Sequence, residues 1–397
     1  MTDGTDATSA EDDERLVERL VSDLVSANGD ADESIFLGAQ FDAGLAWVQN
    51  PVGSGGLALA PNLQDIVDST LQRAQRLSSW LRNPMGIGMV GPALAVHGTE
   101  AQRGHLRSIF TAENIWCQLF SEPGAGSDVA TLATRAVQEG AEWVVDGQKV
   151  WTSLADQARF GLLLARTAPD VPKHNGMTAF ILDMHAAGVE VRPLRQMNGG
   201  AEFCEVYLTD ARVPDSARVG GVGEGWGVAV TTLMNERVSI GGVVEARGSG
   251  PIAAALKVYS SVPVRDEANR DELLALWVEA EVLRLGNMRA QQLRASGTPG
   301  PEGSVLKLGG ALLSRRIHSF AVSLRGAAGM LGAGYDGAAP EGDLVDAFLF
   351  SQSTTIAGGT TEIMRNIIGE RVLGLPGELR ADRGIPWNQI PKGGARA

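Results

Sequence analysis

Phe120-Ser-Glu-Pro-Gly-Ala-Gly-Ser-Asp128 and Lys149-Val-Trp-Thr-Ser153 are the two segments around which the rest of this 397-residue chain can be ordered. Pro123, Gly124 and Gly126 interrupt regular structure and let backbone N–H groups come close to a ligand, while Ser121, Ser127 and Ser153 add hydroxyls. Together they suit an isoalloxazine ring or the phosphates attached to one. Taken singly, the first segment also reads as an ordinary Gly/Pro loop between strands, and Trp151 as a buried strand aromatic.

Around these segments the pattern is β. Residues 142–145 and 148–151 flank Asp146-Gly147, which predicts a hairpin, and the runs 161–165, 177–184, 189–192 and 205–208 predict further strands. Upstream, Leu16, Val17, Leu20, Val21, Leu24 and Val25 recur at helical spacing. A Gly/Pro-interrupted stretch at 50–61 follows, and then 63–82 and 91–110 read as helices broken at Asn83-Pro84 and Gly91-Pro92. Downstream, Gly221-Val-Gly-Glu-Gly225 reads as a turn before a helix. Leu273, Trp277, Ala280, Leu283 and Met288, and then Leu306, Leu312, Leu313 and Ile317, predict two long helices. The chain divides into a helical head (1–113), a β middle (114–217) and a helical bundle (218–397), with loops expected at 296–303 and 332–342.

The formal charge of −13 argues against nucleic acid or an anionic membrane as the main partner. Cys117 and Cys204 are too few for a disulfide framework and read as buried small hydrophobes in a reducing compartment; the five histidines show no metal-ligand spacing. The acidic start lacks the basic, apolar pattern of a signal peptide, and no run is long enough for a membrane span, so a cytoplasmic protein is expected.

A third segment, Thr355-Ile-Ala-Gly-Gly-Thr-Thr-Glu-Ile363, places Gly358, Gly359 and Thr360 before a helix expected to end near Arg371. That turn suits an oxyanion or a pyrophosphate, and Thr360 suits a helix cap. From residue 63 to 375 the order of the three segments resembles the acyl-CoA dehydrogenase family. The resemblance implies an α+β multi-domain fold with an N-terminal helical domain, a β-barrel-like middle domain and a C-terminal four-helix bundle. It implies non-covalently bound FAD, with Gln118, Leu119, Phe120, Ser121, Gly126 and Ser127 wrapping the flavin ring, Trp151 packed on it, and Ser153 near its reactive nitrogen. Thr152, Gly359, Thr360 and Glu362 are further implied cofactor contacts, and Ser127 and Arg237 implied substrate contacts.

Many family members read Tyr-Glu-Gly-Thr where this chain has Ala357-Gly358-Gly359-Thr360, so the usual base is absent. In the branch resembling isovaleryl- and long-chain acyl-CoA dehydrogenases, a glutamate at the position of Glu236, in Leu233-Met-Asn-Glu-Arg-Val-Ser239, takes its place. A lone Glu-Arg pair on a helix otherwise reads as a solvated face. By resemblance, Glu236 removes the α-proton, the Gly358 amide holds the thioester oxygen, and hydride passes to FAD, giving a trans-2-enoyl-CoA. An electron-transfer flavoprotein is the implied acceptor, and a homotetramer or a mixed tetramer with a paralogue the implied assembly. Two departures stand out: 256–265 lacks the family's Phe-Gly, and 323–329 lacks its glutamine-glycine, leaving Arg265 or Arg325 as substitutes. Rival readings are a weakly catalytic subunit that completes a partner's cofactor site and a flavin oxidase of the same fold. A relocated base hints at a bulky or branched acyl group, even a sterol side chain.

Overall fold

The computed structural model describes residues 5–76, 79–241, 246–263, 266–295, 302–332, 334–338, 344–378, 380 and 382–391; of these, the side chains at 5–9, 79, 237–241, 294–295 and 302 are left out. Val17, Val21 and Leu24 lie one turn apart along α1 (Thr5–Asn28) and are buried together with Phe36 of α2 (Glu33–Asp42) and Val67 and Leu71 of α3 (Gln64–Arg73). Helix α3 stops well before residue 82 because Gln75 takes a left-handed backbone (φ 55°). The expected helix over 91–110 is three: α4 (Gly91–His97), α5 (Glu100–Arg103) and α6 (His105–Phe110). Thr99 starts α5 with a reciprocal cap, its hydroxyl accepting the Gln102 N–H while the Gln102 side chain accepts the Thr99 N–H.

The middle of the chain forms one mixed sheet of β1 (Trp116–Leu119), β2 (Arg135–Glu139), β3 (Glu142–Ser153), β4 (Phe160–Arg166), β5 (Met177–Asp183), β6 (Val189–Leu194), β7 (Phe203–Pro214) and β8 (Arg218–Val219). Its order is β6-β7-β3-β2-β4-β5-β8, with β1 parallel to β4. The nearly unbroken apolar runs of β4 and β5 reflect burial of both faces. Leu162, Leu164, Ala179 and Ile181 join a core shared with Leu37, Leu94 and Ile109 of the helical head, while Leu163, Ala165, Phe180 and Leu182 face Trp143, Cys204 and Val206. Both cysteines are buried and free.

The hairpin expected at Asp146-Gly147 is not there. The reversal falls at Gly140 (φ 65°), and β3 runs straight through 146–147 with a register shift against β7. The Asp146 carboxylate is taken by Arg135 at 2.9 Å and by the Asp210 N–H at 3.0 Å, and a Cβ on Gly147 would lie 2.4 Å from Thr134 Oγ1. The glycine allows close strand crossing instead of a turn.

Two compact units result: 1–194, 201–235 and 381–397 in the first, 195–200 and 236–380 in the second. Helix α7 (Gly225–Gly241) follows the expected glycine turn and carries the chain into the second unit, which continues through α8 (Pro251–Ser261), α9 (Glu267–Ala295), α10 (Glu302–Ser323), α11 (Leu344–Ser351) and α12 (Thr361–Ile367). Helix α10 packs against α8, α9, α11 and α12 around Ile252, Leu276, Leu313, Ile317 and Phe320. Among the described residues no helix is long and apolar enough to cross a membrane.

Candidate functional site

In the first unit the loop after β1 lies alongside the end of β3. The Val150 N–H donates to the Ser121 carbonyl at 3.0 Å, and Glu122 and Ala125 exchange two backbone hydrogen bonds of 3.0 Å. Beneath this contact is a buried ion pair the sequence does not announce. Lys149, 0% exposed, donates to Glu122 Oε1 at 2.8 Å and to the Phe120 carbonyl at 3.1 Å. The Glu122 carboxylate also accepts the N–H groups of Ala133 (2.6 Å) and Thr134 (2.9 Å). Burial pushes the Glu122 carboxyl up, but the Lys149 ammonium and these donors outweigh it and hold it below its ordinary value. The one ion pair therefore ties the two sequence segments together.

Along β3, the exposed Trp151 and the half-buried Ser153 flank Thr152, which is buried. Trp151 is 57% exposed and has a left-handed backbone (φ 61°), which costs energy for a non-glycine residue and places a large apolar ring in solvent. Its backbone sits at a second register shift of β3 against β7, between Lys149 and Thr152, and Phe203 meets its ring edge-on at 5.9 Å. The burial that a strand aromatic taken singly would suggest does not occur. Gly126 and Ser127 are exposed and Ser121 half-buried, and a Cβ built on Gly124 or Gly126 would meet nothing within 4 Å. Leu119, Phe120 and Thr152 are buried, which leaves mainly their backbone groups for a ligand; Gln118 is half-buried. An open glycine edge, hydroxyls and an exposed indole fit a flat aromatic ligand with polar margins such as isoalloxazine.

Other contacts brace this loop from below. Arg166 donates to the carbonyls of Ala130 and Lys173 at 2.6 Å each, and burial lowers its guanidinium to about 10, still charged at neutral pH. Lys173 bridges Asp128 and Asp382 at 2.5 Å each. Trp387 lies over Arg166 at 4.9 Å and donates its indole N–H to the Thr131 carbonyl, so 382–390 is strapped onto the sheet. Nothing in the composition near Trp387 signals that return.

In the second unit Gly358 (φ 66°) and Gly359 (φ 95°) form the turn ahead of α12, a conformation that favours glycine at both positions. Lys307 of α10 donates to the Gly359 carbonyl. Thr360 caps α12, its hydroxyl accepting the Ile363 N–H at 3.2 Å. Glu362 is exposed and accepts from the Thr361 hydroxyl at 2.8 Å. Glu236 stands half-buried on α7. The Arg237 side chain and Arg265 lie outside the described residues, and Arg325 donates to the Ser261 hydroxyl at 2.7 Å.

Comparison with known proteins places these features in one family. The model of the acyl-CoA dehydrogenase middle domain matches residues 117–211, and that of the acyl-CoA dehydrogenase C-terminal domain matches 223–373. Acyl-CoA dehydrogenase FadE34 of Mycobacterium tuberculosis is 38% identical over 79% of this chain, which spans 42% of that protein's length. Acyl-CoA dehydrogenase IpdE1 of the same species is 37% identical over 75% of this chain and 77% of its own length. A solved structure of the Tcur3481-Tcur3483 steroid ACAD superimposes with a TM-score of 0.73 at 25% identity, covering 92% of this chain and 97% of that one. With a relative of that identity and coverage and with both domain models matched in order, the chain belongs to the acyl-CoA dehydrogenase family, flavoprotein oxidoreductases acting on CH–CH groups.

Proposed function

We propose that this protein oxidises the Cα–Cβ bond of an acyl-CoA thioester to the trans-2-enoyl-CoA, with FAD as cofactor. The observation that carries the reading is Trp151, an exposed indole held on left-handed backbone beside a loop pinned by the Lys149–Glu122 pair. In this reading Trp151 packs on the flavin, and Ser121, Gly126, Ser127 and Ser153 bond its edges. Backbone groups of Gln118, Leu119, Phe120 and Thr152 line the same loop, and Gly359, Thr360 and Glu362 complete the cofactor contacts. FAD, when bound, accepts the hydride that leaves the β-carbon. Gly358 offers its amide to the thioester oxygen, which acidifies the α-proton, and Glu236 takes that proton. Ser127 and Arg237 are assigned to the substrate.

Glu236 tests the reading directly. In Glu236→Gln the flavin should remain bound, while its bleaching by a good acyl-CoA in rapid mixing slows by at least about a hundredfold, a typical general-base effect. An unchanged rate rules Glu236 out as the base.

A mixed assembly is the second reading, favoured by the two-chain name of the Tcur3481-Tcur3483 neighbour and by the departures at 256–265 and 323–329. Leu274, Val278, Val282 and Leu285 project from one side of α9 with 51–62% of their surface exposed, an apolar stripe suited to another subunit. The assembly we assign is a tetramer, of identical chains or with a paralogue. An electron-transfer flavoprotein is the proposed electron acceptor and the cytoplasm the proposed location.

A further inference from the structure

Just after Gly126 and Ser127, three consecutive backbone carbonyls are held by side chains from elsewhere in the first unit. Arg166 donates to those of Ala130 (2.6 Å) and Leu132 (3.3 Å), and the indole N–H of Trp387 donates to the one between them, on Thr131, at 3.2 Å. The stretch 123–127 is thus anchored at both ends, by Glu122 on Lys149 before it and by this turn after it. Between the anchors a Cβ on Gly124 or Gly126 would meet nothing within 4 Å, so the anchors and not packing along the loop set where it stands. The first anchor is built within the β middle. The second draws on residues 382–390 of the same unit, which lie beyond the residues 223–373 matched by the C-terminal domain model. That segment is seated by its backbone, with the Trp387 N–H on the Val171 carbonyl and the Asn388 N–H on the Pro169 carbonyl, 2.9 Å each. From there the Trp387 ring meets Arg166, which is 3% exposed, and Asp382 shares the Lys173 ammonium with Asp128, the residue next to Ser127.

We infer that residues 382–390 are a positioning element for the cofactor loop: Trp387, through Arg166 and the Thr131 carbonyl, and Asp382, through Lys173, fix 128–132 so that Gly126 and Ser127 stand ready for the flavin. The inference rests on the flavin reading of that loop. A loop that is already ordered loses less conformational freedom when a ligand binds, so a strap behind it raises cofactor affinity through the loop itself. Trp387 and Asp382 are positioning residues in this scheme, and their removal acts on flavin binding before it acts on the fold, because the backbone seat of the segment at Pro169 and Val171 uses neither side chain.

Dilution of the flavin-loaded full-length protein, followed by the rise in flavin fluorescence well below the melting temperature, gives the Kd for FAD. Trp387→Phe keeps a ring over Arg166 but removes the donor to Thr131, and should raise the Kd about two- to tenfold, the range of one net hydrogen bond. Trp387→Ala removes ring and donor together and should raise it further, while Asp382→Asn should raise it at least about twofold. Val67→Ala, in the separate apolar cluster of the helical head, is the control: it should lower the melting temperature and leave the Kd unchanged. At saturating FAD the resolved shoulder of the visible flavin band should blur in Trp387→Ala and persist in Val67→Ala. If Trp387→Ala does not fold, Trp387→Phe and Asp382→Asn carry the same decision. A wild type that takes up no FAD overturns the flavin reading and this inference together. FAD binding by wild type with a Kd that is unchanged in the Trp387 and Asp382 variants, or raised equally in Val67→Ala, overturns the role of the strap alone.

Discussion

Replacing Lys149 by Met keeps the volume and removes the charge at the point where the two flavin-directed segments meet. Glu122 is 8% exposed and would retain the Ala133 and Thr134 N–H groups but lose its counter-ion, and the Phe120 carbonyl would lose its donor. Breaking a buried pair from one side costs about 3–5 kcal/mol because the remaining charge stays desolvated. The two surviving donors and the option of taking up a proton put Lys149→Met near about 3 kcal/mol. The pair as a whole is worth less than its breakage, since its own desolvation offsets most of the attraction. Glu122→Gln combined with Lys149→Met should therefore recover at least about 1 kcal/mol of the loss. Urea unfolding followed by tryptophan emission, with flavin release measured in parallel, supplies the four corners of the cycle. A cost below about 1 kcal/mol for the single variant, or a double variant no more stable than Lys149→Met, would refute the reasoning.

Three further outcomes are expected. Trp151→Ala should weaken flavin retention by about 0.5–1.5 kcal/mol beyond area burial, a rise in Kd of at least about two- to thirteenfold, read from fluorescence on dilution; unchanged retention would remove the ring from the flavin contact. Because the folded Glu122 carboxyl titrates below its ordinary value, its contribution is present above that value and fades as the pH falls through it. The melting temperature of wild type should therefore drop more steeply below about pH 4.5 than that of Glu122→Gln, and parallel curves would contradict the assignment. Light scattering should give a tetramer with one FAD per chain if the subunits are identical. Half-occupancy or insolubility cured by a co-expressed paralogue would support the mixed assembly, and a stable active monomer would contradict both.

Periodicity made the elements legible where one rule governs. The apolar runs of β4 and β5 and the turn-by-turn repeat of Val17, Val21 and Leu24 follow directly from burial. Asp146-Gly147 misled because the same dipeptide that closes a hairpin also lets β3 pass close to Thr134, and only the neighbouring strand distinguishes the two. At the site, the glycines and serines were visible by type. The positive φ of Trp151 and the pairing of Glu122 with Lys149 were not, since backbone strain leaves no mark on residue identity and the partners lie on separate elements. Lys149 opens the second deciding segment and lies in the expected 148–151 strand, but its residue type gives no sign of burial. A lysine in a strand becomes informative only once its burial is known.

The strap formed by Trp387 and Asp382 also bears on the order of events during synthesis. Residues 129–173 can pair their strands as soon as they emerge, yet the indole that covers Arg166 and the carboxylate that joins Asp128 on Lys173 are made more than two hundred residues later, after the entire second unit. Until residues 382–390 have been made, the underside of the loop therefore lacks these two contacts. The first unit is therefore complete only once residues 382–390 fold back onto it, so a nascent chain stalled before residue 382 should be cleaved by protease within 126–134 while the full chain resists.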